Sequence, residues 1–108
     1  MKYKIGQLVQ ICSHLNGDYN YISLEFPGTS LYCNSKMLKY CNDIFKVVHI
    51  YEADNRFPER YELCDLFYRG DTNISLWVWS SEMILPASDN SIKKYLYEKR
   101  RAVILNEI

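Results

Sequence analysis

The sequence predicts a mainly β domain: about five short antiparallel strands closed into a small barrel, followed by a C-terminal α-helix. Three observations carry this. Short apolar runs rich in β-branched and aromatic residues recur between turn signals, as in "IFKVVHIYE" and "LWVWSSEMILP". The 108 residues, 48% of them hydrophobic with 13 basic and 13 acidic side chains, fit one folded core and not a disordered chain. After Pro86 there is neither glycine nor proline, and apolar residues return at helical spacing.

In chain order, Gly6 reads as a turn feeding a first strand through Leu8, Val9 and Ile11. Residues 13–30, with Asn16-Gly17 and Pro27-Gly28 as turn signals, form an insertion with some extended structure. Met37, Leu38 and Tyr40 keep no sustained period, so a short turn anchored by one or two apolar side chains is expected. "IFKVVHIYE" is the clearest strand and "ADNRFPE" breaks it. "RYELCDLFY" alternates as a half-buried strand should, with Tyr61 and Leu63 on one face. "RGDTN" reverses the chain into "ISLWVWS", a strand in which Trp77 and Trp79 share a face because side chains repeat every two residues. "SEM" suits one helical turn, and "ILP" is a last short strand stopped by Pro86, which donates nothing to a ladder.

Residues 1–87 are therefore expected to form the barrel and residues 88–108 a helical extension. Ser88 and Asp89 are its candidate caps. Ile92, Tyr95, Leu96 and Val103 fall near one face, which needs a partner: the barrel, the favoured choice, or another chain in a homodimer.

Charge and termini narrow the classes. Residues 1–87 carry 8 basic and 10 acidic side chains, net −2, and residues 88–108 carry 5 and 3, net +2, so no field of one sign steers nucleic acid or an anionic membrane to the whole chain. No run approaches the roughly 18 apolar residues of a membrane span, and "MKYKIGQLVQ" lacks the apolar stretch of a signal peptide. A cytoplasmic location is expected, with Cys12, Cys33, Cys41 and Cys64 as thiols.

Those cysteines are separated by 20, 7 and 22 residues with no Cys-x-x-Cys pair, and neither His14 nor His49 sits in a ligand motif, so neither a metal nor a cofactor is expected. No glycine elbow surrounds a serine, and the four glycines are not clustered into a phosphate loop. Cys41 with His49 across a hairpin is the remaining nucleophile pair, and the chain is expected not to be an enzyme.

The order "KIGQLVQI", "LYCNSKMLKYCNDIFKVVHI", "RYEL" and "LWVWSSEMILP" resembles the small SH3-like barrels of phage and prophage proteins from low-GC Gram-positive bacteria, over most of residues 4–86. "CND" stands where those barrels usually have Cys-Gly-Lys, so Asn42 must make a turn at positive φ that glycine makes more easily. The resemblance implies a phage or mobile-element protein, and for a short stand-alone chain an inhibitor of a host defence protein such as a CRISPR nuclease.

A small barrel cannot hold two tryptophans and ten tyrosines, so some aromatic side chains must face water. Tyr19, Tyr21, Tyr32 and Trp79 are the expected partner-binding cluster, against the plainer reading of the tryptophans as core. The alternative is nucleic-acid binding by aromatic stacking, aided by Lys93, Lys94, Lys99, Arg100 and Arg101 on the helix, although a solvated helix face also explains those charges.

Overall fold

The computed structural model describes residues 2–66 and 73–106, with the side chains of residues 73 and 99–106 excepted. Among these the chain forms β1 (Leu8–Ile11), β2 (Tyr19–Ile22), β3 (Ser30–Cys33), β4 (Ile44–Tyr51), β5 (Arg60–Asp65), β6 (Val78–Ser80), β7 (Ile84–Pro86) and the helix α1 (Asp89–Asn106), with 3-10 helices at Ser35–Tyr40 and Asn73–Leu76. All five expected strands are present, paired antiparallel in one sheet of order β6-β5-β4-β1-β7, and β2 pairs only with β3.

The sheet does not close into the expected barrel. Its edges, β6 and β7, are three residues each and do not pair with one another. The connection between them turns at once: Met83 N–H donates to the Ser80 carbonyl and Cys12 N–H to the Met83 carbonyl, each at 3.0 Å, which draws the chain onto β1. Leu31 and Cys33 of β3 and Met37 of the first 3-10 helix are buried in the same cluster as Val9, Ile11, Leu63 and Trp79. The expected insertion is thus a β-hairpin with its inner face in the core.

Alternation sets most of that core. Val9 and Ile11 point inward from β1, Tyr61 and Leu63 from β5, and Trp79 from β6, where it sits opposite Tyr61. In β4 the register slips between Val47 and His49, so Phe45 and Val47 face the core before this bulge and Ile50 packs against it afterwards, while His49 is exposed. Asn42, just before β4, has φ +71, the left-handed conformation its place in the sequence demands. Its N–H donates to the Ile11 carbonyl at 3.0 Å.

One local expectation is corrected. "ISLWVWS" is not one strand: residues 73–76 form a 3-10 turn closed by Trp77 N–H on the Ile74 carbonyl at 3.2 Å, and the strand begins only at Val78. Ile74, 1% exposed, anchors that turn in the core, and Trp77 is left half-buried outside any ladder. Phe67, Tyr68 and the "RGD" at residues 69–71 lie outside the described residues.

Ser88 caps α1 as expected, its hydroxyl accepting from Ser91 N–H at 3.1 Å and its carbonyl from Ile92 N–H at 2.9 Å. The helix starts beside the N-terminal end of β4, where Tyr95 is 8% exposed and Ile44 fully buried. A cleft of about 410 Å³ runs between them and is bordered by Gln10, Asn42, Lys94 and Glu98.

Candidate functional site: the exposed hairpin

Two residues fix where the β2–β3 hairpin stands. Gly17 is needed for closeness: a Cβ there would lie 2.9 Å from Ser35 Cα, 3.0 Å from Ser35 Cβ and 3.1 Å from Leu38 Cδ1. Asp18 takes the positive φ of this turn, +52, and its Oδ1 accepts from the Tyr32 hydroxyl at 2.7 Å and from Ser35 N–H at 3.4 Å. That hydrogen bond holds the Tyr32 hydroxyl protonated above the usual phenol range. Gly17→Ala is expected to cost about 1–3 kcal/mol, because the first atom met is backbone that must shift, and urea denaturation of the variant measures it.

At the far end Pro27-Gly28 turns the chain with Gly28 at φ +83 and Thr29 N–H on the Phe26 carbonyl at 3.2 Å.

Pairing decides which side chains face water. Tyr19 lies opposite Cys33 and Tyr21 opposite Leu31, on the inner face; Asn20 lies opposite Tyr32 and Ile22 opposite Ser30, on the outer one. The expected cluster is therefore divided. Tyr19 and Tyr32 are each 48% exposed but on opposite faces. Tyr21 is half-buried, its ring edge-on to Tyr19 at 5.0 Å and its hydroxyl accepting from Asn16 N–H at 2.7 Å. Trp79 is 0% exposed in the core and offers nothing to a partner, because inward alternation in β6 sets it against Tyr61.

The most exposed apolar side chains of the hairpin were not among those expected: Ile22 at 69% and Leu24 at 89%. The signal was the alternation in "YISLEF", where Ile22, Leu24 and Phe26 share one parity. With Tyr32 they give the hairpin an apolar outer face. Its charge has one sign: no lysine or arginine occurs between Lys4 and Lys36, while Asp18 and Glu25 bracket β2 and Glu82 accepts from Leu24 N–H at 3.2 Å.

A second exposed aromatic group lies at the end of the β4–β5 hairpin. Arg60 sits over Phe57 at 5.0 Å and over Tyr51 at 5.7 Å, and its guanidinium donates to the Glu52 carbonyl at 3.2 Å. Asp54 accepts from the N–H groups of Arg56 and Phe57 at 2.8 Å each, which holds its carboxyl below the usual range. Arg60 is thus engaged within the chain.

No metal constellation forms among the described residues. No group of three or more histidine, cysteine and carboxylate side chains converges to hold a metal ion. Cys41 and His49 do not meet, since Ile44 to His49 alone spans roughly 16 Å of strand, and His49 packs on Tyr51 at 4.4 Å. Burial pushes the Cys12, Cys33 and Cys64 thiols up, away from the reactive thiolate. Of the basic residues proposed for nucleic acid, Lys93 and Lys94 are exposed on α1; the side chains of Lys99, Arg100 and Arg101 lie outside the described residues. No described helix is long and apolar enough to cross a membrane.

Compared with known proteins, the chain matches no family profile, no curated protein and no solved structure.

Proposed function

We propose that this chain is a noncatalytic protein-binding module of the SH3-like type with an open sheet, phage or mobile-element borne and working in the bacterial cytoplasm, and that it inhibits a host defence protein such as a CRISPR nuclease. The observation that carries the binding role is the exposed apolar side chains of the β2–β3 hairpin, Ile22 and Tyr32 on its outer face at 69% and 48% exposed and Leu24 just beyond β2 at 89%. The SH3-like part is supported by the strand order, in which β4, β5 and β6 meander and β7 returns beside β1. The phage origin and the defence target rest on the sequence resemblance.

Nucleic acid fits this face less well. Stacking on Tyr19 or Tyr32 brings phosphates toward Asp18 and Glu25 with no cation of the hairpin to receive them. Titration of labelled single- and double-stranded oligonucleotides at two salt concentrations is expected to give no binding.

The test is DNA cleavage by purified, guide-loaded CRISPR nucleases with the chain added. Inhibition by the wild type and its loss in the Ile22→Asp/Leu24→Asp variant, whose exposed positions leave the fold intact, is the expected result. A variant that inhibits equally well removes the hairpin from the function, and no inhibition of any nuclease removes that target class.

A further inference from the structure

The hairpin has an unpaired backbone edge as well as an apolar face. Ser23 N–H donates to the Thr29 carbonyl at 3.0 Å, so 23 and 29 are a hydrogen-bonded pair of the ladder. Alternation then directs the peptide groups of Tyr21 and Tyr19 toward β3, and those of Asn20 and Ile22 away from it. Leu24 has the same parity as Asn20 and Ile22, and its outward N–H is taken by Glu82 Oε1 at 3.2 Å. Among the described residues, nothing takes the outward groups of Asn20 and Ile22. β2 also lacks the usual guards of an exposed edge, having neither lysine nor proline.

We infer that β2 captures an extended, cationic segment of a partner protein by strand addition, with apolar residues of that segment on Ile22 and Leu24 and lysines or arginines near Asp18 and Glu25. This rests on the protein-binding reading above and names the partner's chemistry. Main-chain bonds to Asn20 and Ile22 supply the register, and alternate side chains of the segment reach the outer face. A second copy of this chain is the weaker occupant: antiparallel pairing of two β2 strands sets Asp18 of each against the Leu24–Glu25 end of the other, with like charges near both ends and no cation of either hairpin between them.

The experiment uses a labelled, end-capped octapeptide of alternating lysine and valine, its glutamate-for-lysine counterpart, and the full chain. Expected results are binding of the lysine peptide alone, at least tenfold slower amide exchange at Asn20 and Ile22, and at least tenfold weaker binding by Ile22→Pro. Proline is tolerated on the free side of an edge strand, so this variant keeps its ladder to β3, which circular dichroism checks. Equal binding of both peptides overturns the charge argument. Full affinity in Ile22→Pro together with loss in Tyr32→Ala overturns strand addition but leaves the protein-binding reading standing. Absence of peptide binding overturns the inference, as does a concentration-dependent dimer in sedimentation that Ile22→Pro abolishes; the nuclease assay with Ile22→Asp/Leu24→Asp is unaffected by either and judges the broader reading separately.

Discussion

Replacing Trp79 with alanine is expected to destabilise the chain by about 4 kcal/mol, within the 3–5 kcal/mol found when a buried tryptophan is truncated. The side chain is 0% exposed, stands opposite Tyr61 across β5 and β6, and meets the edge of Tyr40 at 6.2 Å with an interplanar angle of 82°. Tyr40 in turn lies edge-on to Phe45 at 5.8 Å, so the indole joins the three-residue edge strand β6 to the 3-10 helix and to β4. Removing it leaves a hole at an open edge of the sheet, where β6 has no strand beyond it to close over the gap. A domain of this size is stable by only about 5–15 kcal/mol, so the loss is a large share of the total. Trp79→Phe is expected to cost less, about 1–2 kcal/mol, because the indole N–H has no acceptor among the described residues and the phenyl ring keeps most of the packing. Urea denaturation of both variants decides: a change below 1 kcal/mol for the alanine variant places the indole outside the core.

That core explains which parts of the fold the sequence disclosed. Strands announced by β-branched runs and period-2 alternation, such as Ile44–Tyr51 and Arg60–Asp65, form as expected, because the same residues that favour extended backbone also fill one sheet face. The capping of α1 by Ser88 and the left-handed Asn42 were legible for a related reason: each depends on the chemistry of one residue at one position. Closure was not legible. Whether β6 meets β7 depends on the path of the three residues between them and on how the core is completed, and part of that core, Leu31 with Cys33, comes from a segment some fifty residues away in the chain. Aromatic composition also misled as to the site. Tyr19, Tyr21, Tyr32 and Trp79 were grouped by residue type, while exposure follows strand parity, which put Trp79 in the core and Ile22 and Leu24 in water. The run "LWVWSSEMILP" shows both effects, since half of its first tryptophan and all of its second are taken up by packing.

Stability is expected to fall steeply between pH 10 and 12. Burial, followed by the nearby carboxylates of Asp65 and Asp43, pushes the Tyr95 hydroxyl up to about 12 from 10.0. Burial likewise raises Tyr61, whose hydroxyl also donates to the Glu59 carboxylate, and it raises Tyr3, whose hydroxyl donates to the Ile84 carbonyl at 3.2 Å. In each case the folded state holds its proton to a higher pH than the unfolded state does. The contribution is therefore complete below pH 10, and it declines as the unfolded chain releases protons that the folded chain retains. For Tyr95 alone the two pH units correspond to about 3 kcal/mol, gone once the pH passes 12. Tyr61 and Tyr3 sit together in the core, rings edge-on at 5.2 Å, so ionising either buries a charge beside apolar neighbours and adds to the decline. Denaturation midpoints measured from pH 8 to 12 follow the loss, and absorbance of tyrosinate resolves a late-titrating fraction from the exposed phenols. Tyr95→Phe isolates one share of the effect: it removes the hydroxyl that titrates and is expected to flatten the decline by the Tyr95 contribution. An unchanged slope in that variant, or a single tyrosine titration near pH 10 with the fold intact, contradicts the burial of Tyr95.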